Sequence, residues 1–291
     1  MGWRTVVISN QAKLDYKMGY MVIRSQSTYR ILVDEINTLV IENPMISITG
    51  FLIEKLIEKK IKVIFCDSKH NPSAELVAHH GSHDSSAKVR TQMKWADNVK
   101  HLVWKEIVAD KIRKQAGFLY DVGRRPEADL LFSYIPQIEP GDVTNREGHA
   151  AKVYFNALFG MDFTRSTPNA VNSALNYGYS ILLSAFNREI SSNGYLTQIG
   201  IFHDNMFNHF NLGCDFMETF RILVDREVYM MNLNTFEKEE KHKLWCIMNK
   251  QILIDGKTQN VTNAVRIYTR SLFNAINDID MSQIKSYSFI I

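Results

Sequence analysis

The chain has 291 residues, 45% of them hydrophobic and 22% charged, with 34 basic against 31 acidic side chains and a formal net charge of +3. This composition can bury a sizeable core in one large unit or two ordinary ones, and it excludes a disordered chain. A sequence pI near 8.6 permits a polyanionic partner, but so small an excess selects none, and its distribution has to decide.

The opening Met1-Gly2-Trp3-Arg4-Thr5 begins a strand-like run rather than a basic segment followed by a long apolar one, so no export signal is expected. Val6 stands where a myristoylation motif needs Ser or Thr. Strand patterns follow at 3–8, 13–16, 20–24 and 39–41, separated by Asn10, Gly19, Ser25 and Asn37, and predict tight antiparallel structure. Ile48, Leu52, Ile53, Leu56 and Ile57 recur at helical spacing within 47–60, ahead of a β-branched run at 61–66. Residues 69–86, rich in His, Ser, Asn and Gly, read as loops closing a first unit at residue 84. From residue 85 the periodicity becomes helical, near 87–97, 98–116, 124–136, 146–159, 168–190, 212–231 and 261–276, while 278–291 carries no clear pattern. Asn145 is the expected N-cap before Glu147, and Pro168 the expected first residue of the next helix. The fold class is α+β: a mainly-β unit over 1–84, then a larger helical unit over 85–291.

No apolar run reaches the roughly 18 residues of a membrane span. Cys66, Cys214 and Cys246 lack C-x-x-C spacing and read as small buried apolar residues in a reducing cytoplasm. There is no phosphate-binding G-x-x-x-x-G-K-[ST] loop and no G-x-S-x-G nucleophile turn. The tract His79-His80-Gly81-Ser82-His83 has no Cys or carboxylate at zinc-finger spacing, and Glu147 and His149 diverge on a helix.

Basic residues concentrate in Lys88, Arg90, Lys94, Lys100, Lys105, Lys111, Arg113, Lys114, Arg124 and Arg125, set against Asp97, Glu106, Asp110 and Asp121. They read as a solvated helix face or as a polyanion-binding stripe, with Trp95, Trp104 and Tyr120 as core residues or base-stacking ones. The most informative stretch joins Gly200-Ile201-Phe202-His203 to residues 214–221. There Asp215, Glu218 and Asp225 fall on one helical face while Phe216, Met217, Phe220 and Val224 pack inward. Carboxylates so clustered need a positive partner: a divalent metal, or Arg221 and Arg226. Taken singly, Glu218 pairs with Arg221 at i,i+3, His203 is a satisfied core or interface residue, and Glu147 is a first-turn carboxylate favoured by the helix dipole.

Three segments together resemble a known family: residues 145–155 with Asn145-Arg146-Glu147-Gly148-His149, residues 172–183 with Leu175-Asn176-Tyr177-Gly178-Tyr179, and residues 203–221. They are similar to the Cas-one integrase and endonuclease of CRISPR spacer acquisition, in the branch of systems with a single-protein RNA-guided effector nuclease (type II). The likeness extends to Gly2-Trp3-Arg4-Thr5-Val6-Val7 and Val63-Ile64-Phe65-Cys66-Asp67, and so to nearly the whole chain. The resemblance implies a β unit that dimerises, a helical catalytic unit, and Mg²⁺ or Mn²⁺ held by Glu147, His203 and Glu218, with Asp215 as a further acidic position. It also implies DNA as substrate and target, a homodimer, and a small second adaptation protein whose dimer is flanked by two integrase dimers, with no membrane. Under it, Lys88, Arg90, Lys111, Arg113, Lys114, Arg124, Arg125, Arg165 and Arg188 are the expected DNA-backbone contacts. Thr219 departs from the family, which has Pro there; Thr restores a backbone donor and should straighten the helix. The competing readings are a noncatalytic helical DNA-binding protein and a metal-dependent hydrolase of a small phosphoester.

Overall fold

The computed structural model describes residues 2, 4–68, 72–76 and 84–290. The chain is α+β, with eight strands and one helix in its first part and a helical assembly after it. Strands β1 (Arg4–Ile8), β2 (Ala12–Lys17), β3 (Tyr20–Arg24), β4 (Thr28–Leu32), β5 (Ile36–Ile41) and β6 (Ile46–Ile48) lead into helix α1 (Gly50–Glu58), then β7 (Lys62–Cys66) and β8 (Pro72–Leu76). One sheet has the order β4-β3-β2-β6, and β2 turns tightly into β3 because Met18 and Gly19 both take positive φ, as a two-residue hairpin turn requires.

The second sheet, β1-β5-β7-β8, departs from the antiparallel expectation: β1, β5 and β7 run parallel, and only β8 is antiparallel. α1 supplies the crossover that parallel strands need, and Thr49 caps it by accepting from Leu52 N at 3.3 Å. The runs at 39–41 and 63–66 are apolar throughout because both faces of this sheet are covered. Leu39, Ile41 and Val63 enter a core with Leu14, Met21, Leu52 and Leu56, whereas Val40, Ile64 and Cys66 join the core of the helices. Of the other two cysteines expected to be buried, Cys214 is half-buried and Cys246 is exposed. From the helix α6 (Ala170–Ser192), Arg188 reaches Asn37 of β5, and Ser184 Oγ donates to Glu75 of β8 at 3.4 Å. Residues 77–83, beside the expected boundary at 84 and containing the histidine tract, lie outside the described residues.

The helices are α2 (Ser85–Gln92), α3 (Asp97–Asp121), α4 (Arg125–Tyr134), α5 (Arg146–Phe159), α6 (Ala170–Ser192), α7 (Asn211–Met217), α8 (Arg221–Met231), α9 (Lys238–Cys246) and α10 (Val261–Asp278). The expected 3.6-residue patterns match these closely, with three corrections. α6 starts after Pro168, capped by Asn169, whose side chain accepts from Asn172 N at 2.7 Å. The single helix expected over 212–231 is broken by a 3-10 turn at Glu218–Phe220, so Thr219 does not straighten it. Sequence periodicity also missed α9 and a small sheet of β9 (Gln251–Ile254), β10 (Lys257–Asn260) and β11 (Tyr287–Phe289), whose strands are too short to carry a pattern.

α3 is the axis of the helical part, buried on several sides, with Trp104, Ile107, Val108, Ile112 and Leu119 nearly inaccessible. Each such side chain contributes on the order of 2 kcal/mol by leaving water. Gly178 and Gly213 set how closely α6 meets its neighbours: a Cβ would stand 2.4 Å from Val224 Cγ1 at the first and 2.1 Å from Asn187 Oδ1 at the second. We therefore expect Gly178→Ala to cost about 1–3 kcal/mol of stability in urea unfolding, and less when Val224 is also Ala.

Candidate metal centre

Glu147 sits in the first turn of α5. Asn145, at φ 52°, caps that turn by accepting from Gly148 N at 3.2 Å, and glycine is needed there because a Cβ would stand 2.6 Å from Asn145 Oδ1. Buried Asp142 reinforces the start of the helix, accepting from Arg146 N and Glu147 N at 2.9 Å each. The turn thus presents the Glu147 side chain toward α3, where Lys111 Nζ donates to Oε1.

Glu218, buried in the 3-10 turn, meets the same ammonium: Lys111 Nζ donates to its Oε2 at 2.5 Å, while Arg221 Nη2 lies 2.9 Å from its Oε1. Burial alone would raise the Glu218 pKa, but Arg221 and Lys111 outweigh it and hold the carboxyl below its ordinary value. Burial likewise opposes charge on Lys111, and Glu218 and Glu147 overcome it, so the ammonium is held above its usual range. Lys111 falls on the helical row of Trp104, Val108 and Phe118, and its place on that core-facing row was the sequence signal that it turns inward, though not toward which partners.

His203 lies in the loop before α7, half-exposed, with its ring against Trp104 at 5.8 Å between centroids. Its Nδ1 is 2.6 Å from Asp215 Oδ1, a hydrogen bond that raises the His203 pKa against the opposing effect of burial. Asp215 also accepts from the backbone N–H of Ile201, Phe202 and His203 at 2.7, 3.2 and 3.0 Å, so each of its oxygens takes two donors. Asp215 thereby anchors the histidine loop. With Nδ1 on Asp215, Nε2 is the ring nitrogen left to bind. Glu218 is near enough to add to the upward shift of His203.

The expected carboxylate stripe does not form, because the 3-10 turn rotates its members apart. Asp215 faces the loop, Glu218 faces Lys111 and Arg221, and Asp225 accepts from Tyr179 Oη. Among the described residues no three His, Cys, Asp or Glu side chains stand within reach of one ion, and Lys111 Nζ donates to both glutamates. The donor set still suits a hard divalent cation: two carboxylates already converge on one positive charge, and a neighbouring imidazole has its second nitrogen fixed.

The expected backbone-contact residues divide. Arg90, Arg113, Arg124 and Arg125 are exposed and Lys88 is half-exposed. Lys111 and Lys114 are buried, and Lys114 donates to Asp110 and, at 2.8 Å, to Ser286 Oγ beneath the Tyr287 ring. Arg188 serves Asn37 and Glu189, while Arg165 donates to Asn172 and Asn176 between the Phe155 and Tyr179 rings. Internal acceptors thus take those four cations, and the outward charge is carried by the first five. Trp104 belongs to the core and Tyr120 is exposed under Arg125.

A family model described as CRISPR associated protein Cas1 matches residues 5–253. The chain is 31% identical over 291 residues to the CRISPR-associated endonuclease Cas1 of Neisseria meningitidis serogroup C, covering 98% of this chain and 96% of that protein. In fold it resembles a casposase bound to integration product, at TM-score 0.76 and 17% identity over 97% of this chain and 92% of the casposase. It also resembles a chain of a partial Cas6-RT-Cas1–Cas2 complex, at TM-score 0.66 and 18% identity over 98% of each. Among the described residues no helix is long and apolar enough to cross a membrane.

Two outcomes follow from the packing. Gly200→Ala would put a Cβ 2.3 Å from His203 O and 2.7 Å from Asp215 Oδ2, and we expect it to lower stability by about 1–3 kcal/mol in thermal unfolding. Burial pushes the Asp225 carboxyl from 3.8 up to about 6, with Tyr179, Lys111, Arg221 and Arg165 pulling the other way. A raised pKa in the folded state favours the protonated form, so this group's contribution is full below about 3.8 and is lost as pH rises through about 6. Asp225→Asn should flatten that decline, by up to roughly 3 kcal/mol in urea titrations compared between pH 4 and pH 7.

Proposed function

The chain belongs to the CRISPR-associated Cas1 family, and from that premise we propose that it is a metal-dependent DNA endonuclease and integrase that inserts captured fragments into a CRISPR array. The observation that carries the proposal is the convergence of Glu147 and Glu218 on a single positive charge beside a histidine whose Nδ1 is already engaged.

Glu147, Glu218 and His203 Nε2 would hold Mg²⁺ or Mn²⁺, a mixed oxygen and nitrogen set that both ions accept. When bound, the ion would neutralise charge on the nonbridging phosphate oxygens and help activate the attacking oxygen. The chain's own contribution is orientation. Asp215 fixes the histidine tautomer, and Arg221 holds one Glu218 oxygen so that the other faces the site. The fragment's 3′-hydroxyl would attack a phosphodiester at the repeat boundary, forming one P–O bond and releasing the other; water in its place would give hydrolysis.

Lys88, Arg90, Arg113, Arg124 and Arg125 are the proposed backbone contacts, with affinity that falls as salt rises. The first 84 residues would dimerise, since β4 and β6 are edges of their sheet within the chain. Two such dimers flanking a dimer of a small second adaptation protein would complete the complex, and a Cas2 partner is supported by the likeness to a chain of a Cas1–Cas2 assembly.

Integration of a fluorescent DNA with a free 3′-hydroxyl into supercoiled plasmid with Mn²⁺ tests the reading. Glu147→Ala, His203→Ala and Glu218→Ala should each lose about a hundredfold or more in rate while duplex binding persists. Equal rates in all three would reduce the protein to a DNA-binding module.

A further inference from the structure

Lys111 presents a problem that the proposed chemistry does not use. Its side chain is buried on the central helix, and its ammonium donates to Glu147 and Glu218, the two carboxylates proposed to grip a divalent ion. A cation bridging both glutamates would need the space between them, and an ammonium cannot share that space with a dication, because like charges at contact repel strongly where water is scarce. Three residues on, Lys114 is equally buried but serves Asp110 and Ser286 instead. Burial of a lysine on α3 therefore does not by itself bring it to the glutamates.

Resting on the metal reading above, we propose that Lys111 is an internal counter-cation: it holds Glu147 and Glu218 together in the metal-free protein and withdraws when a divalent ion binds between them. Lys111 is then a positioning residue. Without it, two carboxylates from α5 and the 3-10 turn would face each other with Arg221 engaging only Glu218. The site is kept assembled before metal arrives, at the expense of metal affinity, since each ion must displace a charge that already satisfies its ligands.

Calorimetric titration of DNA-free protein with Mn²⁺ decides the matter. Lys111→Met should bind Mn²⁺ at least roughly tenfold more tightly than wild type while unfolding at a lower temperature without metal. A purely structural lysine would lower the unfolding temperature and leave affinity unchanged or weaker, and that result overturns the proposal. Should Lys111→Met fail to fold, acetylation footprinting of the wild type replaces it. Lys111 should become several-fold more reactive in saturating Mn²⁺ than in chelator, with Lys114 constant as the internal reference, and an unchanged Lys111 overturns the proposal. Failure of the metal reading looks different: wild type, His203→Ala and Glu218→Gln would then show the same Mn²⁺ response or none.

Discussion

A buried ammonium that meets one buried and one partly exposed carboxylate gives up most of its solvation, and the loss is recovered only if the groups meet at hydrogen-bonding distance. That condition ties together three elements of the helical part. Lys111 comes from the middle of α3, Glu147 from the capped first turn of α5, and Glu218 from the 3-10 turn between α7 and α8. Arg221 closes the network on the far side of Glu218, stacking over Tyr179 at 4.7 Å, and Tyr179 in turn donates to Asp225. Removing Lys111 would leave Glu218 with Arg221 alone and the partly exposed Glu147 without its cation, so the elements are held relative to one another electrostatically as well as by packing.

The apolar scaffold makes this arrangement possible by close approach. Gly178 and Gly213 let α8 and α7 lie against α6, and the 3-10 turn between them directs Glu218 toward α3 while Asp215 stays with the histidine loop. A continuous helix would have put Asp215, Glu218 and Asp225 on one stripe, where their charges repel. The break separates them, and each finds its own donors. Beyond the helices, β5 and β7 contribute alternate residues to two cores, so the strands are covered on both faces.

Asp215 illustrates how a buried acidic residue can serve position. Its four hydrogen bonds fold residues 201–203 around it and engage His203 Nδ1, and Gly200 admits that close turn because it carries no Cβ. A family resemblance names the position as acidic, and the donors around its oxygens show what it holds in place.

Much of the molecule was legible in its residues. The change from strand to helix near residue 85, the span of α5, the Asn145 cap and the inward faces of Phe216, Met217, Phe220 and Val224 all follow from local periodicity and capping chemistry, which act within a few residues. The parallel pairing of β1, β5 and β7, the break at Glu218, the short strands near the C-terminus and the partners of Lys111 did not. The sequence by itself determined which faces are apolar and, within a few residues, where the strongly periodic helices begin. Tertiary structure decided that Lys111, 36 residues from Glu147 and 107 from Glu218, faces both glutamates rather than solvent, because a contact between distant segments depends on how whole elements pack. Local spacing carries no record of that packing.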